Sequence, residues 1–306
     1  MGLRTTLKKI FDRIVYRYAF VNRVLRNFNK KISGLTSFRL RPFGTMQVHF
    51  QSGIRFKMAT NETSSVTKLL FWNGADNYEY TRIFESLLPR CHSFIDVGSN
   101  TGYYSLLAGT KNPAIRVFAF EPASAPFFYL EKNVNINRLK NVKIFPLALS
   151  DSIGEVQFFE VHSPKNYHNN FNLAGTGTMK GQDLPKQNFA TRIVPTTTLD
   201  NWIKTENLPG IDLIKIDTEG TEHLILRGAD HVLREQQPII ICETLFNVIE
   251  DEIENIMKRY DYHFFNHKNG KLFKTPTLKR ESDNGFRDCF FVPSKKISWI
   301  EPFTTR

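Results

Sequence analysis

The chain has 306 residues, 41% hydrophobic and 23% charged, with a formal net charge of +11. Those proportions exclude a disordered or collagen-like chain and leave room for one sizeable α/β core with additions. The three cysteines, Cys91, Cys242 and Cys289, are widely spaced and form no C-x-x-C pair, which argues against a disulfide scaffold or zinc ribbon and fits a reducing compartment.

The positive charge is concentrated at the start. Residues 1–31 hold nine Lys or Arg against one acid, Asp12. Leu3, Leu7, Ile10, Ile14, Tyr18, Val21, Leu25 and Phe28 recur in steps of three and four, the stripe of a basic amphipathic helix within a segment 1–35. Two readings stay open. The helix docks on an anionic membrane or a partner, or it packs its stripe on the rest of the chain with a solvated basic face. No run approaches the roughly eighteen apolar residues of a transmembrane span, and no signal-peptide core opens the chain. The expected location is therefore cytoplasmic, with a peripheral position at the inner membrane face under the membrane reading. The Arg-rich start also fits an organelle presequence, and Met1-Gly2-Leu3-Arg4-Thr5-Thr6 matches a short myristoylation pattern that we treat as coincidence.

Residues 36–76 read as a β-rich extension, because Phe38-Arg39-Leu40, Val48-His49-Phe50 and 54–58 alternate apolar with polar. A helix over 77–89 then leads into a main domain over 77–306. The most informative stretch follows: Phe94-Ile95-Asp96-Val97-Gly98-Ser99-Asn100-Thr101-Gly102. A short apolar run ends in an acid and a glycine-bracketed turn, and a helical stretch begins at Tyr103. Backbone N–H groups at such a turn face a nucleotide-like ligand. The G-x-x-x-G spacing is neither the dinucleotide fingerprint nor a phosphate loop. It suits S-adenosylmethionine (SAM), whose cationic group needs carboxylate and backbone partners. The next strand, 116–120, ends in Glu121-Pro122, and an acid at that tip is placed to accept both ribose hydroxyls.

A third core strand spans 142–147. The long connection after it holds a strand at 155–161 and a polar, Asn- and Gly-rich stretch over 162–187. Within an insertion at about 155–195, that stretch is the expected acceptor lid, with a plain surface insertion as the alternative. The fourth strand, 212–217, delivers Lys215, Asp217 and Glu219 to the carboxyl end of the sheet, and Glu243 ends the fifth strand at 238–243. Asp217, Glu219 and Glu243 are costly neighbours without a cation or proton. They can hold a methionine ammonium, ligate a divalent metal, or supply a general base, with Asp217 nearest the reaction. Glu222 and His223 fall on the following helix, and His223 is a second candidate base. Strands at 262–266 and 288–293 close the sheet as a hairpin whose tip is Lys268-Asn269-Gly270. The expected fold class is a doubly wound, Rossmann-like α/β sheet of seven strands.

Residues 95–105, Phe120-Glu121-Pro122 and 213–222, supported by Leu147-Ala148-Leu149-Ser150-Asp151 and Thr197-Thr198-Leu199-Asp200, resemble the FkbM-type methyltransferases of the class I SAM-dependent superfamily. The likeness covers roughly residues 90–245. Ser99 stands where Ala is commoner, a small-for-small change. The resemblance implies O-methylation of a hydroxyl on a sugar, polyketide or related small molecule. It implies SAM contacts from Asp96, Gly98, Ser99, Asn100, Thr101, Gly102, Glu121, Ala148 and Asp217. Two other functions remain to be weighed. A nucleic-acid methyltransferase would use the net charge, but the excess lies in one N-terminal helix and no base-flipping motif is present. A non-catalytic membrane or partner adaptor would merely retain the fold.

Overall fold

The computed structural model describes residues 14–161, 171–173 and 189–305. Leu3, Leu7 and Ile10 of the predicted stripe, and nearly all of the predicted lid, lie outside the described residues.

Helix α1 (Ala19–Lys31) precedes an antiparallel pair, β1 (Gly44–His49) and β2 (Arg55–Thr60). Phe38-Arg39-Leu40 does not become a strand. The segment runs extended beneath α1, where Asn22 and Asn29, two turns apart, grip its backbone. Asn22 Nδ2 donates to Arg41 O at 3.1 Å and its Oδ1 accepts from Phe43 N at 3.1 Å. Asn29 Nδ2 donates to Phe38 O at 3.1 Å and its Oδ1 accepts from Leu40 N at 2.8 Å. Asparagine here replaces a neighbouring strand as hydrogen-bond partner, at a net gain of about 1 kcal/mol per bond.

Helices α2 (Ser65–Asn73) and α3 (Thr81–Leu87) lead into the core. The predicted 77–89 helix is thus shorter, with a 3₁₀ turn on each side. The core alternates β3 (Ser93–Val97), α4 (Tyr103–Lys111), β4 (Arg116–Phe120), α5 (Ser124–Asn137) and β5 (Val142–Phe145). Next come β6 (Ala148–Leu149), β7 (Gly154–Val161), β8 (Phe189–Thr197), α6 (Leu199–Thr205), β9 (Leu213–Ile216), α7 (Glu222–Arg227) and β10 (Ile239–Glu243). The chain ends through α8 (Glu250–Met257), β11 (Tyr262–Lys268), β12 (Lys271–Thr275) and β13 (Asp288–Pro293).

Eight strands form the central sheet in the order β12-β11-β13-β10-β9-β3-β4-β5. The five from β10 to β5 are parallel and the remaining three antiparallel. Every residue of β3 and β9 is buried, as expected where helices cover both faces of a parallel sheet. On one face Phe84, Leu87, Phe94 and Leu107 pack together; on the other Ile95, Phe118, Trp202 and Ile225 do. Trp202 meets Phe120 edge-on at 4.9 Å, which anchors the strand end that carries Glu121.

The closing hairpin differs from expectation. Lys268-Asn269-Gly270 turns β11 into β12, an eighth edge strand, and β13 then inserts between β11 and β10. Asn269 and Gly270 both take positive φ, at 50° and 72°, so the turn chemistry is as read and only the strand it serves is different.

Strand β2 is tied to the core by a second asparagine pair. Asn133 Oδ1 accepts from Ala59 N at 2.6 Å and Asn137 Oδ1 from Lys57 N at 2.8 Å. Asn133 Nδ2 also donates to Thr101 O at 2.9 Å, linking the extension to the glycine loop after β3.

Candidate active site

The parallel strands end in a cavity of about 260 Å³, at the carboxyl edge where open α/β sheets bind ligands. Its walls bring together Gly98 and Asn100 from the loop after β3, Glu121 after β4, Ala148 from β6, Asp217 and Glu219 after β9, and Glu243 from β10. These are seven of the residues singled out from sequence.

The glycine loop is fixed by backbone needs. Gly98 has φ +68°, and a Cβ there would strike the carbonyl oxygen of Asp217. Only glycine lets the β3 and β9 loops approach this closely. Gly102, at φ +88°, starts α4, and a Cβ on it would lie 2.6 Å from Leu130 Cδ1. Ser99 N donates to Phe120 O at 3.0 Å, and its hydroxyl is spent on the same oxygen at 3.3 Å. Ser99, Thr101 and Gly102 therefore shape the loop from behind and do not line the cavity.

Glu121 accepts Asn100 N at 2.7 Å and Ala123 N at 2.8 Å, one on each carboxylate oxygen. Burial pushes its carboxyl up to about 7, with the Ala123 and Asn100 N–H groups opposing. Each oxygen keeps a lone pair for a diol facing it from the cavity.

Asp96 sits one layer below. Register places it beside Lys215 on the adjacent parallel strand, and Lys215 Nζ lies 3.4 Å from Asp96 Oδ1, 3.3 Å from Asp217 Oδ2 and 3.2 Å from Gly98 O. Ser105 Oγ donates to the other Asp96 oxygen at 2.6 Å. Asp96 is buried and absent from the cavity wall. Its direct contact there is with the lysine, which binds the two loops together. Burial pulls Lys215 down, but Asp217, Asp96 and Glu79 outweigh it and hold the ammonium above its usual range.

The opposite wall is acidic. Glu219 stands in the left-handed region at φ +56°, which costs a side-chain-bearing residue roughly 1–3 kcal/mol. Glu222 Oε1 holds that turn by accepting Thr218 N at 2.8 Å and Gly220 N at 3.1 Å. Burial, then Asp217 and Glu222, lift the Glu219 carboxyl to about 7. Glu243 goes further, to about 9, through burial followed by Asp217, Glu219, Glu222 and Asp288. Its Oε2 is buried without a hydrogen-bond partner among the described residues.

Sequence reasoning missed four contributors. Glu79, in the turn before α3, lines the cavity and accepts Tyr104 OH at 2.9 Å; burial raises it, against a Tyr78 hydrogen bond. Its φ of +41° reflects a turn no motif announces. Glu160 and Phe158 reach the wall from β7, where Arg192 Nε holds Glu160 at 3.0 Å. Asp288 lies opposite Glu243 in the β10/β13 register. Of the predicted lid, Asn172 lines the cavity, beside Phe171 and Leu173, which bond Asn61 and Thr63 of the extension.

His223 is on α7 and does not line the cavity. Asp217, Glu219 and Glu243 share the cavity, yet among the described residues no group of three or more His, Cys, Asp or Glu is arranged to hold a metal ion. Asp217 is instead drawn to Lys215.

The cavity fits SAM in chemistry: a buried carboxylate with free lone pairs on one wall, a close-approach glycine, and a carboxylate-rich wall for a cation. Residues 96–264 match the family model described as Methyltransferase FkbM domain. Methyltransferase sdnD of Sordaria araneosa is 27% identical, over 51% of this chain and 68% of that protein. The 31-O-demethyl-FK506 methyltransferase FkbM of Streptomyces tacrolimicus is 28% identical over 44% and 58%. Hexuronic acid methyltransferase AglP of Haloferax volcanii is 29% identical over 48% and 53%. The matched stretch thus spans between 53% and 68% of these relatives' lengths. A solved FkbM methyltransferase from Methylobacillus flagellatus KT superposes with TM-score 0.42 at 15% identity, over 65% of this chain and 43% of that one.

Proposed function

The chain belongs to the FkbM methyltransferase family, and from that premise we propose that it transfers the methyl group of SAM to a hydroxyl of a sugar or related small molecule. The observation that carries this reading is that Glu121 and Glu219 line one cavity at the carboxyl edge of the sheet. Support for a hydroxyl acceptor comes from the relatives named for FK506 and hexuronic acid.

In this reading Glu121, Asn100 and the Gly98 turn bind the nucleoside, and Ala148 with Phe158 bounds the same wall. Glu79 and Asp217 compensate positive charge. SAM, when bound, supplies a methyl group already activated for displacement, so the protein's work is positioning and proton removal. Glu219 is the assigned base. A carboxyl poised near 7 combines a useful ionised fraction with basicity, whereas Asp217 is paired with Lys215 and Glu243 holds its proton until about 9. The acid wall also disfavours a nucleic-acid acceptor, whose phosphates it would repel.

Calorimetric titration with SAM and, separately, NAD is the first test, followed by labelled methyl transfer to sugar and small-molecule hydroxyls. We expect SAM binding that strengthens as pH rises through about 7, because a bound cation favours the ionised form of Glu219. A folded protein that ignores SAM would overturn the assignment.

A further inference from the structure

Helix α1 is folded inside out. Its inward face is polar, with Asn22 at 0%, Arg26 at 3% and Asn29 at 6% exposure. Its outward face carries Phe20 at 67%, Val24 at 50% and Phe28 at 60%, an i, i+4, i+8 line on one side. Ile14 and Tyr18, just before the helix, are also half exposed or more. Of the described residues of the predicted stripe, Ile14, Tyr18 and Phe28 are exposed and Val21 and Leu25 half-buried, so the outward line is displaced from that stripe. The asparagine bonds to the 38–43 backbone fix the helix's rotation, so the apolar side cannot turn inward without breaking them.

Single exposed hydrophobics are ordinary, but a continuous line on one helix face marks an interaction site. Charge says what covers it. Residues 14–61 contain nine Lys or Arg and no Asp or Glu, and Arg23 and Lys31 share the outward side with the aromatic line. Arg17 is exposed as well. An aromatic stripe within a purely basic segment matches a surface that is apolar beneath and anionic at its face. A protein groove would need the apolar part alone.

We propose that α1 docks the protein on the anionic face of a phospholipid bilayer, with Phe20, Val24 and Phe28 in the headgroup–acyl boundary and Arg23 and Lys31 at the phosphates. Among the described residues no helix is long and apolar enough to cross a membrane, so this contact is peripheral.

The test is cosedimentation of the full chain with vesicles of phosphatidylcholine alone and of phosphatidylcholine mixed with phosphatidylglycerol. Binding to the anionic vesicles, released by salt, is expected. The triple variant Phe20→Ser/Val24→Ser/Phe28→Ser should weaken it by roughly tenfold or more. The variant Arg23→Glu/Lys31→Glu should weaken it comparably, on anionic vesicles only. Melting temperatures near wild type will show that these outward residues leave the fold intact. No sedimentation, or equal binding to both vesicle types, overturns the proposal. So does a dimer in analytical ultracentrifugation that the triple variant dissociates, since a second copy would then cover the face.

Discussion

Glu121 and Glu219 line one cavity, and burial brings both carboxyls to about 7. What stands around them differs. Glu121 is answered by two backbone N–H groups, at 2.7 and 2.8 Å. Glu219 is answered by further carboxylates, Asp217 and Glu222. One wall has satisfied its acid and holds a fixed shape; the other keeps its acids short of partners. A donor-binding wall needs the first condition, because its partner's hydroxyls are constant. A wall that must take up a proton needs the second, because a fully satisfied carboxylate is a poor base.

The contrast breaks most completely at the seam joining the walls. Gly98→Ala places a methyl group against the Asp217 carbonyl, in backbone that disfavours any side chain. The loops must separate, Lys215 loses its fixed span between Asp96 and Asp217, and both walls lose their geometry together. We expect SAM binding by calorimetry to be abolished and the melting temperature to fall.

Substitutions within each wall should separate binding from turnover. Glu219→Gln keeps the shape and removes the base, and should lower kcat by about 10²–10⁴-fold with SAM affinity changed only a few-fold. Glu121→Gln should do the reverse, weakening SAM binding by roughly tenfold, since an amide cannot accept on both sides, while kcat at saturating SAM stays near wild type. Equal losses of kcat in the two variants would erase the proposed division of labour.

The wall proposed for the donor is local, and its segments can be read from the sequence. A strand, a glycine turn and a helix start lie within 93–105, and Glu121 follows at the tip of the next strand. Asp96 was expected at the donor, and only the β3/β9 register reveals that Lys215 lies beside it. The acid wall is assembled from distant segments. Glu79 comes from a turn without a motif, and Asp288 was missed because only the β10/β13 register sets it opposite Glu243. Helix α1 shows the limit of periodicity most clearly. The stripe predicts a helix, yet the buried side was decided by asparagines serving an extended backbone, and such a preference carries no period.

The smallest expected effect concerns Glu243, whose Oε2 is buried and unpartnered. Its carboxyl is held at about 9 in the folded chain, against 4.5 ordinarily. Below about 4.5 it is protonated whether the chain is folded or not, and contributes no pH dependence. As pH rises from there toward 9, the unfolded chain ionises this group while the folded chain does not, so folding stability declines across that window. Above about 9 both forms are ionised and the loss levels off. Glu243→Gln cannot ionise and escapes the decline. The variant should melt about 2–4 °C higher than wild type near pH 8 and show no advantage near pH 4. Saturating SAM should shrink the gain, because a cation in the cavity makes an ionised Glu243 less costly. A gain that is the same at both pH values would mean that Gln improves packing, and the acid wall would then store no electrostatic strain at this position.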